Sequence, residues 1–145
     1  MKKSTSIPFM APPDYGQSLA GFSVNLLSAN LARALQFQRD VLQADILHQD
    51  EDLLIVQGYG GNWMVHADHT YEQHALLAET LAESRRGAGI ELRLHHCDPD
   101  ATAARAEEQG FRVLDGPRAQ PDHGLREVHI IDGDGYVWVA DTPLK

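Results

Sequence analysis

One pattern of strand, helix and three strands occurs twice in the 145-residue chain, 68 residues apart, and this repeat limits the fold more than any other feature. In GFSVNLLS (21–28), Phe22, Val24 and Leu26 alternate with Ser23, Asn25 and Leu27, the period-two signature of a strand with one apolar face. Asn30 follows as an N-cap, and Leu31, Ala34, Leu35, Gln38, Val41 and Leu42 fall on one helical face. In GIELRLHH (89–96), Ile90, Leu92 and Leu94 alternate with Glu91, Arg93 and His95. Asp98-Pro99-Asp100 then supplies an N-cap, a proline at the first helical position and an acid near the helix dipole. Gly110 suits the position after that helix ends. Strand segments 45–49, 52–58 and 62–67 follow the first helix; FRVLD, LREVHIID and YVWVAD follow the second. The shift that carries Asn30 onto Asp98 also carries Ser23 onto Glu91 and Asn25 onto Arg93, so the two first strands superpose in phase. Two copies are too few for a solenoid. The expected fold is α+β: two tandem βαβββ modules forming curved sheets around a cleft. They span about 21–67 and 89–142 of a single domain 21–142. The connector 68–88, with EQHALLAETLAES, reads as a short helix or a loop, and residues 1–20 as an arm with little regular structure.

Composition narrows the function. Hydrophobic residues make up 43% of the chain, enough for a packed core, yet no apolar run approaches the ~20 residues that span a bilayer. The start carries two lysines but no continuous apolar segment, so no signal peptide is read. The single Cys97 excludes an intrachain disulfide and a cysteine-rich zinc site, and it reads as structural. A cytoplasmic protein without membrane contact is expected. The net charge of −9 repels phosphate backbones, which argues against nucleic acid, and attracts cationic ligands.

In each module the helix covers one sheet face. The other face carries Ser23, Asn25, Glu91, Arg93 and His95, and two sheets side by side would line a cleft with them. Glu91, Arg93 and His95 offer an acid, a cation and a titratable base in a row; the competing reading is an Arg–Glu pair across strands. Trp63 has an uncertain phase, so it either lines the cleft, where it would stack on a flat or cationic ligand, or joins the core. Trp138 packs under the helix if Val139 faces the cleft. The histidines His66, His69 and His74 match no zincin or zinc-finger spacing. Within IIDGDGYVWVAD, the run Asp132-Gly133-Asp134-Gly135 resembles a calcium loop, but Pro143 stands where the bidentate glutamate belongs. It reads as a turn, with both glycines free to take positive φ and the aspartates bonding nearby backbone.

The duplicated pattern, together with NLARALQFQRDVLQADIL, GIELRLHHCDPDATAARAEEQGFRVL and HGLREVHIIDGDGYVW, resembles the vicinal oxygen chelate superfamily of glyoxalase I, extradiol dioxygenases, and fosfomycin- and bleomycin-resistance proteins. The GLRE…DxDGYxW ending looks most like the bleomycin-resistance branch. The resemblance implies a divalent metal held by the first strand of each half and by the last strand, four residues after the turn glycine. These positions read Ser23, Glu91 and Val139, of which only Glu91 is a good ligand. The bleomycin-resistance proteins also lack that metal. What they imply is an acidic homodimer that sequesters a small cationic drug.

The expectation is therefore a non-catalytic homodimer that binds a small cationic or aromatic molecule without cofactor, through Ser23, Asn25, Trp63, Glu91, Arg93, His95 and Val139. Open sheet edges would be closed by the partner subunit, with the arm lying across it. Two other readings stand beside it. One is a metal-dependent lyase, isomerase or dioxygenase using a rearranged set, His66, Glu91 and His95. The other is a protein-interaction domain whose cleft is filled by its own side chains.

Overall fold

The computed structural model describes residues 10–82 and 86–145. The chain forms two four-stranded sheets. In the first module β1 (Val24–Ser28) is followed by α2 (Leu31–Gln36), a π-helical turn (Phe37–Val41), β2 (Asp45–Gln49), β3 (Leu53–Gly58) and β4 (Gly61–Ala67). In the second, β5 (Glu91–His95) is followed by α4 (Pro99–Glu108), β6 (Arg112–Gln120), β7 (Leu125–Ile131) and β8 (Val137–Pro143). The sheet orders, β1-β4-β3-β2 and β5-β8-β7-β6, repeat each other, and each first strand runs parallel to the last strand of its module. The tandem βαβββ duplication is thus the architecture of the chain. Both expected caps are made: Asn30 Oδ1 accepts from the Arg33 amide at 3.0 Å, and Asp98 Oδ1 from those of Asp100 and Ala101.

Two segments gain structure. Pro12–Ser18 of the expected arm is a short helix, α1, with Pro12 at its start; residues 1–9 lie outside the described residues. The connector contains a 3₁₀ turn (Asp68–Tyr71) and helix α3 (Ala75–Ala82). No described helix is long and apolar enough to cross a membrane.

The helix-facing sides of both sheets share one core. Leu26, Leu54, Val56, Trp63 and Val65 from the first sheet join Leu94, Val128, Ile130, Trp138 and Ala140 from the second. Trp63 and Trp138 stand 5.5 Å apart between ring centroids. Phe37, fully buried in the π turn, reaches across to the edge of Phe111 at 4.9 Å and to Trp138 at 6.0 Å. The wider turn buries three successive side-chain directions, Phe37, Gln38 and Val41, where a regular helix would bury a narrower stripe. Alternation along each strand then sends the other side chains to the sheet faces turned away from the helices.

Polar contacts fasten the modules around this core. Asp134 accepts from Ser28 Oγ at 2.6 Å and from the Ala29 amide at 2.9 Å, and the Tyr136 hydroxyl donates to the Leu27 carbonyl at 2.9 Å. The Asp-Gly-Asp-Gly turn is therefore a docking element. Asp132 Oδ1 accepts from the amides of Asp134, Gly135 and Tyr136, and Oδ2 accepts from Trp138 Nε1. Gly135 takes a positive φ of 101°. Gly133 does not; its glycine is required because a Cβ there would stand 2.9 Å from Arg33 Cγ. The guanidinium of Arg33 lies 3.6 Å over the Phe111 ring and donates to the carbonyls of Gln109 and Gly110.

Phe37 is the side chain that most directly joins the halves. Phe37→Ala is expected to lower stability by ~3–5 kcal/mol, as truncation of a fully buried aromatic does, read as a lower urea midpoint.

Candidate ligand site

Strand β5 places Glu91, Arg93 and His95 on the outer face of the second sheet, in register with Val137, Val139 and Asp141 of β8. Strand β7 adds Ile131, His129 and Glu127 in the same rows. The guanidinium of Arg93 is the centre of this face. It donates to Glu91 Oε1 at 3.0 Å, to Asp141 Oδ2 at 3.0 Å and, through a short contact, to Glu127 Oε2. His95 Nδ1 lies 2.9 Å from Asp141 Oδ1, and His129 Nε2 lies 2.6 Å from Glu91 Oε2. Glu127 and Asp141 are 5% and 0% exposed, so two of the three carboxylates are held almost without water. The hydrogen bond from His129, helped by Arg93, lowers the Glu91 pKa from its ordinary value. Partial burial disfavours the Arg93 charge, but hydrogen bonds to Glu127, Asp141 and Glu91 outweigh it and raise its pKa. The cross-strand Arg–Glu pair thus exists, extended into a network of six side chains.

A cavity of about 270 Å³ lies beside this network, between the modules. Ser23, Tyr59, Trp63, Trp138, Glu91 and Arg93 are among the residues that line it. Trp63 is a core residue that shows the cavity an edge. It is 7% exposed, and its Nε1 donates to the buried Gln38 Oε1 at 3.0 Å.

A family model, Glyoxalase/Bleomycin resistance protein/Dioxygenase superfamily, matches residues 22–140. The chain belongs to that superfamily. Solved structures agree on the fold. A glyoxalase/bleomycin resistance protein/dioxygenase family enzyme from Burkholderia phytofirmans PsJN superposes with a TM-score of 0.68 at 16% identity, covering 84% of this chain and 97% of its own. TnmS3, an antibiotic binding protein from Streptomyces sp. CB03234, superposes with a TM-score of 0.62 at 21% identity, covering 87% and 98%. A hypothetical protein from S. aureus gives 0.65 at 16%, covering 88% and 98%. No curated protein matches the chain.

The superfamily's metal does not fit the residues present. Val139 is 0% exposed and has no donor, Ser23 is a weak ligand, and Glu91 already bonds Arg93 and His129. Among the described residues, no group of three or more His, Cys, Asp or Glu is placed to hold a metal ion. The rearranged set of His66, Glu91 and His95 is therefore not assembled. His66 lies on the other sheet, in register with Leu27 and Leu53.

Ser23, Trp63, Glu91 and Arg93 meet at the inter-module cavity, but Asn25, His95 and Val139 do not line it. Asn25 lies exposed on the outer face of the first sheet, the His95 side chain is 65% exposed on that of the second, and Val139 is buried in register with Arg93. The reason is the shared core, which turns the inner faces of the sheets toward each other. Sequence reasoning missed Glu127, His129 and Asp141. Their signal is alternation in LREVHIID and YVWVAD, in phase with the β5 residues once the strand register is known.

His66 carries a separate consequence. Its Nε2 is buried without a hydrogen-bond partner, its ring packs on Tyr71 at 5.3 Å, and burial lowers its pKa from 6.5. In the pH range between the folded value and 6.5 the unfolded chain binds more protons than the folded one, so stability rises with pH there. That contribution is complete above 6.5 and is lost as pH falls through the folded value. His66→Gln is expected to flatten the pH dependence of urea stability below pH 6.5; an unchanged profile would assign the dependence to other groups.

Proposed function

We propose that this superfamily member is a non-catalytic protein that binds a small cationic or aromatic molecule in the inter-module cavity. The observation that carries the reading is the juxtaposition at one opening of two tryptophans, Tyr59 and the Glu91 carboxylate. The superfamily's metal positions nearby read Ser23, Glu91 and Val139. A flat ring stacks on indole, a positive charge is drawn by Glu91 and by the chain's net charge of −9, and no activated nucleophile or ligand set is required. The likeness to an antibiotic binding protein, TnmS3, supports the binding of a small molecule. Ser23, Trp63, Glu91 and Arg93 are the proposed contacts. Asn25, His95 and Val139 shape the surrounding faces.

The active form in this reading is a homodimer. Strands β1 and β5 are each an edge of their sheet. Phe22 and Ile90, at their starts, are 91% and 55% exposed. A second copy of the chain closes such edges and covers such side chains. The double variant Phe22→Lys/Ile90→Lys is expected to sediment as a monomer at a concentration where the parent chain is a dimer; equal sedimentation coefficients would sink this part.

Binding is testable with proflavine, a flat aromatic cation. Saturable quenching of tryptophan fluorescence is expected, at one equivalent per chain. Glu91→Gln should weaken it by roughly tenfold, and raising salt from 0.05 to about 0.5 M should weaken it further. Quenching that never saturates, or that ignores both Glu91 and salt, would refute the reading.

A further inference from the structure

We propose that the connector is an acid-released cover over the outer face of the first sheet, held there by Tyr71 in contact with two histidines. Leu27 and Ile55 alternate with the core residues Leu26, Leu54 and Val56, so they point to that outer face. They are nevertheless buried, to 3% and 6% exposure. His66 lies on the same face, in register between Leu27 and Leu53. The Tyr71 ring, from the 3₁₀ turn, packs against His66 at 5.3 Å and meets the His74 ring at 5.0 Å. Helix α3, which follows, is buried only at Leu77, while its Leu76 and Leu81 are 45% and 64% exposed. A segment that rests on so few buried side chains opens locally before the sheets do.

Both histidines support the cover only while they are neutral. His66 Nε2 is buried without a hydrogen-bond partner among the described residues. The carboxylates of the surrounding segments are engaged elsewhere or exposed. Asp68 accepts from both terminal nitrogens of Arg86 at 2.7 and 2.6 Å, Asp52 lies 2.8 Å from His69 Nε2, and Asp50 lies 2.7 Å from His48 Nε2. Glu72, next to Tyr71, is exposed. Burial accordingly lowers the His66 pKa. His74 Nδ1 accepts from the Leu76 amide at 2.9 Å, in the first turn of α3, and it does so only while that nitrogen carries no proton. Acid therefore acts twice: a charged His66 needs water, and the start of α3 loses an acceptor. Two contacts keep the base of the connector in place. Arg86 stays charged and holds Asp68, and a proton on His69 strengthens its pairing with the buried Asp52. Opening is thus confined to the stretch from Tyr71 onward, and it uncovers the row of Leu27, His66 and Leu53.

The test is hydrogen exchange on the full chain, read by mass spectrometry at about pH 7 and about pH 5 and corrected for the intrinsic rate. Protection of residues 71–82 is expected to fall by about tenfold on acidification, while that of β7 in the core is unchanged. Tyr71→Ala is expected to show the low protection already at neutral pH. His66→Phe/His74→Asn keeps a ring against Tyr71 and an uncharged acceptor at the start of α3, so protection should be equal at both pH values. Each variant is compared at equal near-ultraviolet tryptophan signal, which reports the core around Trp63 and Trp138. Unchanged protection of 71–82 in the native chain would overturn the proposal. So would an acid loss that persists in the double variant, or one that spreads equally through β7.

Discussion

The contact between Trp63 and Trp138 sets what every other surface of the molecule does. The two indoles lie on the helix-facing sides of different sheets, 5.5 Å apart. With Phe37 wedged against Trp138 and Phe111, the helix-facing apolar sides of the two modules are buried against each other. Facing the inner sides together is what the hydrophobic term favours, since burial is worth ~25 cal/mol per Å² of apolar surface. The alternate strand positions are then left to the sheet faces turned away from the helices. The inter-module cavity is a by-product of the same packing: it opens where the edge of Trp63 and the start of β1 fail to close against β5.

The second outer surface shows how a buried charge network stays compatible with folding. Two desolvated carboxylates would destabilise the sheet if left alone, and a lone arginine beside them would be scarcely better. Held together, with Asp141 also bonded to His95 and Glu91 to His129, each of the three carboxylates has a partner at hydrogen-bond distance. The network spans β5, β7 and β8, so it ties the edge strand of the second sheet to two inner strands. An edge strand that carries Glu91 and Arg93 of this network cannot slip by one residue without placing Leu92 and Leu94 where they now stand.

The duplication was legible because caps and alternation are local. Asn30, Asp98-Pro99 and the strand at 91–95 each announce themselves within a few residues, and all lie where the pattern places them. The relation between the modules was not legible, because it depends on which apolar faces choose each other. Trp63 illustrates the difference: its residue type suited both a ligand wall and the core, and only the approach of Trp138 decides that most of it is core. The arm hid a helix, since Pro12 starts a turn as readily as it interrupts one. The carboxylates Glu127 and Asp141 were invisible for a third reason. They reach Arg93 across 34 and 48 residues of chain, and no pattern within one strand encodes that meeting.

The two halves have kept a backbone and parted in chemistry. Strand register pairs Asn25 with Met64 and Leu27 with His66 in the first module, as it pairs Arg93 with Val139 and His95 with Asp141 in the second. Four positions, three of which belong to the charged network in one sheet, thus hold an amide, two apolar side chains and one half-buried imidazole in the other. A duplicated ligand-binding fold with equal halves would present similar donors on both first strands. Here the first module has no carboxylate at its equivalent positions, and the second holds its own cation. The asymmetry places the arginine-centred network on a single sheet. The cavity at its edge, where Glu91 stands beside tryptophan, is the place where that chemistry and an aromatic surface meet.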